Sequence, residues 1–336
     1  MPPHKYDLAE VIATENIHRK FAEAVSKNEP FMVFRIPGRD IDLVNVDDKR
    51  EFLIKPWQQE AFSLHSEKSG NQTLLTAETS KEEYALSFKK YKDAFASGSL
   101  KKAILSGVIH KEKPQNFDPI GFFLGLCESY PDAFSYLLHH PKTGTWCGAT
   151  PEVLLEGKGE EFITVALAGT QSVHPSGEYH WEEKEREEQE LVSQHIRETL
   201  QYMGANDIEE SVPKTVQAAD VVHLKTEFRF HYEKNIKSLL DRLHPTPAVA
   251  GLPIADSIKL ISDAENHHRG LYTGYIGILS EKETRVFVNL RCMQIGEREL
   301  ALYVGGGITA KSNIEPEWEE TRMKAKTLLN LLKSTT

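Results

Sequence analysis

Three apolar, β-branched segments follow one another near the C-terminus: GLYTGYIGILS (270–280), TRVFVNLRCMQIG (284–296) and ELALYVG (299–305). The gaps between them hold a turn but not the crossover helix that parallel neighbours need, so the strands must run antiparallel. The same habit recurs in FMVFRIPGRDIDLV (31–44), REFLIKPW (50–57), KAILSGVI (102–109), AFSYLLHH (133–140), TWCGATPEVLLEG (145–157) and EFITVALAGT (161–170). Helical segments are interspersed without a regular βα alternation. Tyr84, Phe88, Tyr91 and Phe95, spaced by three and four, predict an amphipathic helix over 81–100 that closes near Gly98. Further helices are predicted over 119–131, over the charged stretch 178–203, over 238–261 with a Pro/Gly interruption, and from about Pro316 onward. Runs of strands with scattered helices predict an α+β fold built on antiparallel sheets rather than a doubly wound one. With 336 residues, no Ser/Gly/Pro-rich linker and no repeat, one large domain is expected.

A formal charge of −10 argues against a nucleic-acid partner, which needs a basic face to displace counterions from phosphates. It leaves room for a small anionic substrate, because a few local cations can dominate a pocket. Cys127, Cys147 and Cys292 are scattered without a CxxC pair, which suits a reducing compartment and offers no zinc motif. The first twenty residues are too polar for a signal peptide, and no apolar run approaches ~18 residues. A cytoplasmic protein without a membrane partner is expected.

The densest chemistry lies in YVGGGITAKSNIEPEWEETRMKA (303–325). Gly305, Gly307 and Ala310 fit G-x-G-x-x-A, but a dinucleotide fingerprint requires a second strand and an acidic residue beyond the helix, and here the chain ends. No Lys-Ser or Lys-Thr stands at P-loop spacing either. The glycines, Gly306 among them, remain either a tight turn or a cradle of N–H groups for a carboxylate. Glu317 and Glu320 share one helix face, and Lys324 follows Glu320 by four residues. That face is either solvated and ion-paired or, together with EEKEREEQE (182–190), a source of hard oxygen ligands for Mg²⁺. None of the fourteen histidines stands at metal-ligand spacing, and no G-x-S-x-G supports a hydrolase triad.

Taken in order, LKKAILSG, WCGATPEVLL, ALAGT, KEREEQELV, LHPTPAVAGLP, RGLYTGYIG, VNLRCMQI and the glycine–glutamate motif resemble the chorismate-utilising enzymes, among them the isochorismate, salicylate, anthranilate and aminodeoxychorismate synthases. The resemblance runs from about Tyr84 to Leu332. It implies a single domain over 1–336 with two antiparallel sheets packed together and helices outside, 1–80 being a shortened variable part and 81–333 the catalytic core. It also implies Mg²⁺ held by Glu188 and Glu320 against the ring carboxylate of chorismate, with Glu317 in a supporting place or acting through water. Arg291 matches the contact to the enolpyruvyl carboxylate. Tyr272, Lys324 and the backbone of Gly305–Gly307 match further substrate contacts, and Gly169, Thr170 and His223 match other walls of the site.

The subtype rests on what activates the nucleophile. Lys102 occupies the position of the lysine base in water-using members, where anthranilate synthases carry glutamine. A free lysine has a pKa of ~10.4, so its surroundings must lower it before it can act as a base. Glu152 matches the general acid for the departing 4-hydroxyl. Ala168 stands where aminodeoxychorismate synthases carry a nucleophilic lysine, and Ala248 where pyruvate-eliminating members carry threonine. Gln189 in EEQELV fits isochorismate synthases, whereas Gly107 replaces an arginine common in the family strand. The resemblance therefore implies an isochorismate synthase, and a monomer is expected because no amidotransferase-docking signal or coiled coil is evident. Its rivals are a salicylate synthase and a non-catalytic chorismate-binding protein.

Overall fold

A computed structural model describes residues 8–44, 50–65, 76–98, 100–174, 176–218, 221–280 and 282–334. Helix α1 (Leu8–Lys27) leads into β1 (Phe31–Arg35), β2 (Ile41–Leu43), β3 (Glu51–Lys55) and β4 (Phe62–Ser63). Then come α2 (Lys81–Ala96), β5 (Lys102–Glu112), α3 (Pro119–Ser129), β6 (Phe134–His140), β7 (Gly144–Thr150), β8 (Val153–Lys158) and β9 (Glu161–Ser172). The long α4 (Glu183–Met203) is followed by β10 (Asn206–Glu210), β11 (Lys214–Ala218), β12 (Val221–His231), α5 (Ile236–Leu243), β13 (Gly251–Leu252) and α6 (Ile254–Ala264). The chain finishes with β14 (Tyr275–Ser280), β15 (Glu283–Val288), β16 (Cys292–Ile295), β17 (Glu299–Ile308) and α7 (Ile314–Ser334).

Every strand pairing is antiparallel, as the short turns require. One eight-stranded sheet has the order β13-β5-β17-β16-β7-β6-β1-β2. A nine-stranded sheet has the order β10-β12-β9-β8-β15-β14-β3-β4, with β11 beside β12. Between the sheets lies an aromatic core in which Phe134 of the first sheet stacks on Phe287 of the second, with ring centroids 4.6 Å apart. A second core runs from α2, whose Tyr84, Phe88, Tyr91 and Phe95 lie on the side of β5, α6 and α7, to α4, whose Val192, Ile196 and Leu200 cover the outside of the nine-stranded sheet. Outside the eight-stranded sheet, α3 and α7 close a third with Ile120, Phe123, Leu126, Ala325 and Leu328. The α+β architecture, two packed antiparallel sheets with helices outside, is thus the expected one.

Two segments expected as single strands, 145–157 and 284–296, are each broken and pass from one sheet to the other. Pro151, which has no N–H for a ladder, separates β7 from β8, and Asn289–Leu290–Arg291 separates β15 from β16. Thr150 Oγ1 donates to Val288 O at 2.5 Å and Val288 N–H donates to Glu152 O at 2.9 Å, so the two crossings lie side by side. Likewise, 270–274 is a tight turn rather than the start of a strand, and α7 begins at Ile314, two residues before Pro316. Helix α1 and strands β10 to β12 carry no counterpart in the sequence reading. Their charged residues, as in Lys225, Glu227 and Arg229 of β12, mask the apolar alternation of Leu224, Thr226, Phe228 and Phe230.

Candidate active site

The glycine strand lays the floor. β17 pairs with β5 along its full length, Gly305 opposite Ser106 and Gly307 opposite Ile104, whereas β16 covers it only from Leu300 to Leu302. Beyond Leu302 the other edge of β17 has no strand partner among the described residues. Gly305 turns its carbonyl to that edge and accepts a hydrogen bond from Lys324 Nζ at 2.9 Å. Alternation along the strand presents the N–H groups of Gly305 and Gly307 to the same side. The absence of side chains there has a steric reason. A Cβ on Gly305 would stand 2.8 Å from the Tyr272 hydroxyl, and one on Gly307 would stand 2.5 Å from Cε of Lys102.

Lys102 opens β5, and its side chain crosses Gly307 to meet Glu188 of α4, with Nζ 2.5 Å from Oε1. Lys101 is exposed and lies outside the strand, so Lys102 is the lysine that reaches the site. Gly107, five positions along and on the opposite strand face, packs against Thr79 and leaves the Lys102 end undisturbed. On α7, Lys324 Nζ bonds Glu320 Oε1 at 2.6 Å. Burial lowers the Lys324 pKa against the opposing pull of Glu320. Arg291, at the crossing between β15 and β16, adopts a left-handed φ of 48° and donates to Lys324 O at 3.4 Å. Burial lowers its pKa as well.

Glu152 sits at the other crossing. Burial pushes its carboxyl up to about 7, although Lys102, Arg291 and Lys324 all pull the other way. A carboxylic acid that keeps its proton near neutrality in these surroundings is suited to donate it. His223 Nδ1 donates to Gly169 O at 3.1 Å, and burial keeps the ring neutral. Gly169 has φ +68° and packs against Glu185 and Trp181, where an added Cβ would be crowded. Thr170 pairs with His223 in the strand register, but its side chain lies outside the described residues. Ala248 lies in the turn where Thr246 O accepts the N–H groups of Val249 and Ala250.

The carboxylate oxygens Glu317 Oε2 and Glu320 Oε1 lie 3.6 and 3.7 Å from where a Gly306 Cβ would be, so the glycine leaves the space beneath them open. Glu188 stands apart from this pair, meeting Lys102, which crosses the opposite face of the strand at Gly307. Among the described residues no group of three acidic, His or Cys side chains is placed to hold a metal ion. The Glu317–Glu320 pair is of a kind that Mg²⁺ can use, since that ion takes one or two carboxylates and completes its shell with water and substrate oxygens.

Sequence reasoning missed what holds these parts in register. Buried Arg269 clasps Glu265 through Nε at 2.9 Å and Nη2 at 2.7 Å. It also donates to Ile104 O at 2.8 Å and Val249 O at 3.0 Å, tying the Lys102 strand to the Ala248 turn. Asn289 Nδ2 donates to Leu271 O at 2.9 Å, fixing the Tyr272 turn to the Arg291 crossing. Thr273, a β-branched residue at φ 61°, is held there by the Asn289 carbonyl and by His244 Nε2 at 2.8 Å. Gln189 is buried and bonds Ala166 O and Thr226 Oγ1, so it anchors α4 next to Glu188. Charged residues amid apolar runs, as in HHRG (267–270), were the available signal.

The sequence matches the family described as chorismate binding enzyme over residues 40–333. Isochorismate synthase EntC of Escherichia coli is 30% identical over 247 residues, covering 70% of this chain and 63% of that one. The chain thus spans somewhat under two thirds of that relative's length. The crystal structure of the 2,3-dihydroxybenzoate-specific isochorismate synthase DhbC of Bacillus anthracis superposes with a TM-score of 0.79 at 21% identity, over 95% of this chain and 99% of that one. MenF, the menaquinone-specific isochorismate synthase of Escherichia coli, gives 0.78 at 20% identity, over 91% and 89%. This chain belongs to the chorismate-binding enzyme family.

Proposed function

We propose that the protein is a Mg²⁺-dependent isochorismate synthase, an isomerase that converts chorismate reversibly to isochorismate. The observation that carries this reading is Glu152, whose carboxyl is pushed up to about 7 by burial although Lys102, Arg291 and Lys324 lie near enough to pull it down. Lys102, in its neutral amine form, takes a proton from the water that attacks C2. The ring double bond shifts, and Glu152 donates its proton to the C4 hydroxyl, which leaves as water. Arg291 receives the enolpyruvyl carboxylate, Tyr272 flanks it, and the N–H groups of Gly305 and Gly307 receive charge at the floor. His223, Gly169 and Thr170 form another wall. Mg²⁺, held by Glu188 and Glu320 with Glu317 alongside, would neutralise the ring carboxylate.

All these residues come from one chain, which suits a monomer. No described helix is long and apolar enough to cross a membrane, and the three cysteines are free and buried. Both features suit work in the cytoplasm. The relatives' names include menaquinone- and siderophore-linked enzymes, and either product route is compatible with this chemistry. Incubation with chorismate and Mg²⁺, followed by chromatographic separation, is expected to yield isochorismate alone. Salicylate with an equal amount of pyruvate would instead make the protein a salicylate synthase. Binding of chorismate without turnover would make it a non-catalytic chorismate-binding protein.

A further inference from the structure

A void adjoins Glu152 and Ala248 and runs between α4 and the turn that follows α5. His195 and Thr246 line it, and Val192 and Leu243 contribute to its apolar wall. Lys102, Tyr272, Arg291 and Lys324 do not line it, so it is distinct from the cationic side of the site. Two of its polar atoms, His195 Nε2 and Thr246 Oγ1, are buried and have no hydrogen-bonding partner. Burial and nearby Arg242 keep His195 neutral, leaving one ring nitrogen to donate and one to accept. Buried polar atoms left unpaired are unfavourable, and buried waters typically make about three hydrogen bonds to such groups. Here the void is wide enough for a water molecule and offers three polar residues, counting Glu152.

We infer that this void is a fixed water site, shared by His195, Thr246 and Glu152, which receives the departing C4 hydroxyl as water and supplies the nucleophile of the reverse reaction. The inference rests on the reaction proposed above, in which one water leaves C4 forward and one attacks C4 in reverse. In the forward direction the C4–O bond breaks and its electron pair leaves with oxygen. The Glu152 proton completes a neutral water and a carboxylate remains. In the reverse direction that carboxylate takes a proton from the same water as its oxygen attacks C4. The C2 hydroxyl is then displaced and takes its proton from protonated Lys102. Protons and charge balance in both directions.

The test combines structure and kinetics on the full chain. A crystal structure at a resolution that orders solvent is expected to show a water within hydrogen-bonding distance of His195 Nε2 and Thr246 Oγ1. The double variant His195→Phe/Thr246→Val should lack it. Its kcat should fall about tenfold, equally for chorismate and isochorismate, with KM within about twofold of wild type, because positioning of a reactant is what is lost. Its melting temperature should not fall, since both unpaired polar atoms are removed together. Thr246→Ser, which keeps the hydroxyl, should retain wild-type kcat, whereas Thr246→Val should not. A dry void in an active wild type, or a wild-type kcat in a variant that has lost the water, would overturn the water site alone. A wild type that forms no isochorismate would remove the proposed reaction, and this role for the water with it, even if the water is seen.

Discussion

Glu152 has two measurable consequences at the scale of one side chain. Its folded pKa, about 7, lies above the ordinary value of 4.5, so the folded protein holds a proton that the unfolded chain releases. Stability should therefore decline as pH rises from about 4.5 to about 7 and level off above that. Glu152→Gln should flatten this slope in urea titrations taken across the window. The same variant cannot donate a proton, so isochorismate formation should drop by roughly 10²–10⁴. In the wild type, kcat/KM should fall above about pH 7 as Glu152 ionises, and a profile flat to pH 9 would remove its role as the acid. Lys102→Gln should cost a similar factor, and ammonium should not become the preferred nucleophile of the wild type. At this scale the sequence was informative wherever a family motif carried the residue. Lys102, Glu152, Arg291 and Lys324 were all legible, and all converge. Arg269, His195 and Thr246 were not, because their meaning lies in partners far away in sequence, such as Val249 for Arg269 or Glu152 for His195.

At the scale of elements, the site is a glycine strand facing two acid-rich helices. Gly307→Ala would place a methyl 2.5 Å from the Lys102 Cε and push that side chain away from Glu188. The expected outcome is a fall in kcat of about 10-fold or more with little change in melting temperature, since a flexible side chain rather than backbone must give way. Glu320→Gln should weaken Mg²⁺ binding, read directly by titration calorimetry, while the helix content by circular dichroism stays the same. Unchanged turnover of that variant in EDTA would remove Glu320 from the metal site. Periodicity made α2 readable, since its apolar stripe is clean, whereas α4 was legible as a charged stretch and begins at Glu183, five residues later than expected. Periodicity failed where one stretch serves both sheets, because the apolar pattern of 284–296 is continuous although the hydrogen-bonding partners change at Arg291. β12 escaped notice for a related reason. Its exposed face carries charges that resemble a loop until the neighbouring β9 is known.

At the scale of the whole molecule, three cores on either side of and between two sheets hold the floor and both helices in one frame. Phe287 contributes to the middle core against Phe134, one residue from Val288, which bonds both Thr150 and Glu152. Phe287→Ala should cost about 3–5 kcal/mol in chemical denaturation. A milder Phe287→Leu should lower kcat before it lowers stability appreciably, because the stacked ring sets the spacing of the crossings. The architecture followed from the antiparallel pattern of the sequence, whereas the pairing order did not, since neighbours such as β17 and β5 lie nearly two hundred positions apart.

The paired crossings also limit how sequences of this kind can change in length. Each crossing hands a strand from one sheet to the other, and strand faces alternate residue by residue. One residue inserted between Thr150 and Val153 would turn Leu154 and Leu155 to opposite faces of the sheet. One inserted between Asn289 and Cys292 would do the same to Met293 and Gln294. Loops at the far ends of the strands, such as that between β10 and β11, face no such penalty. Insertions and deletions accumulated by descendants of this chain should therefore gather at the rim and leave these two short passages untouched.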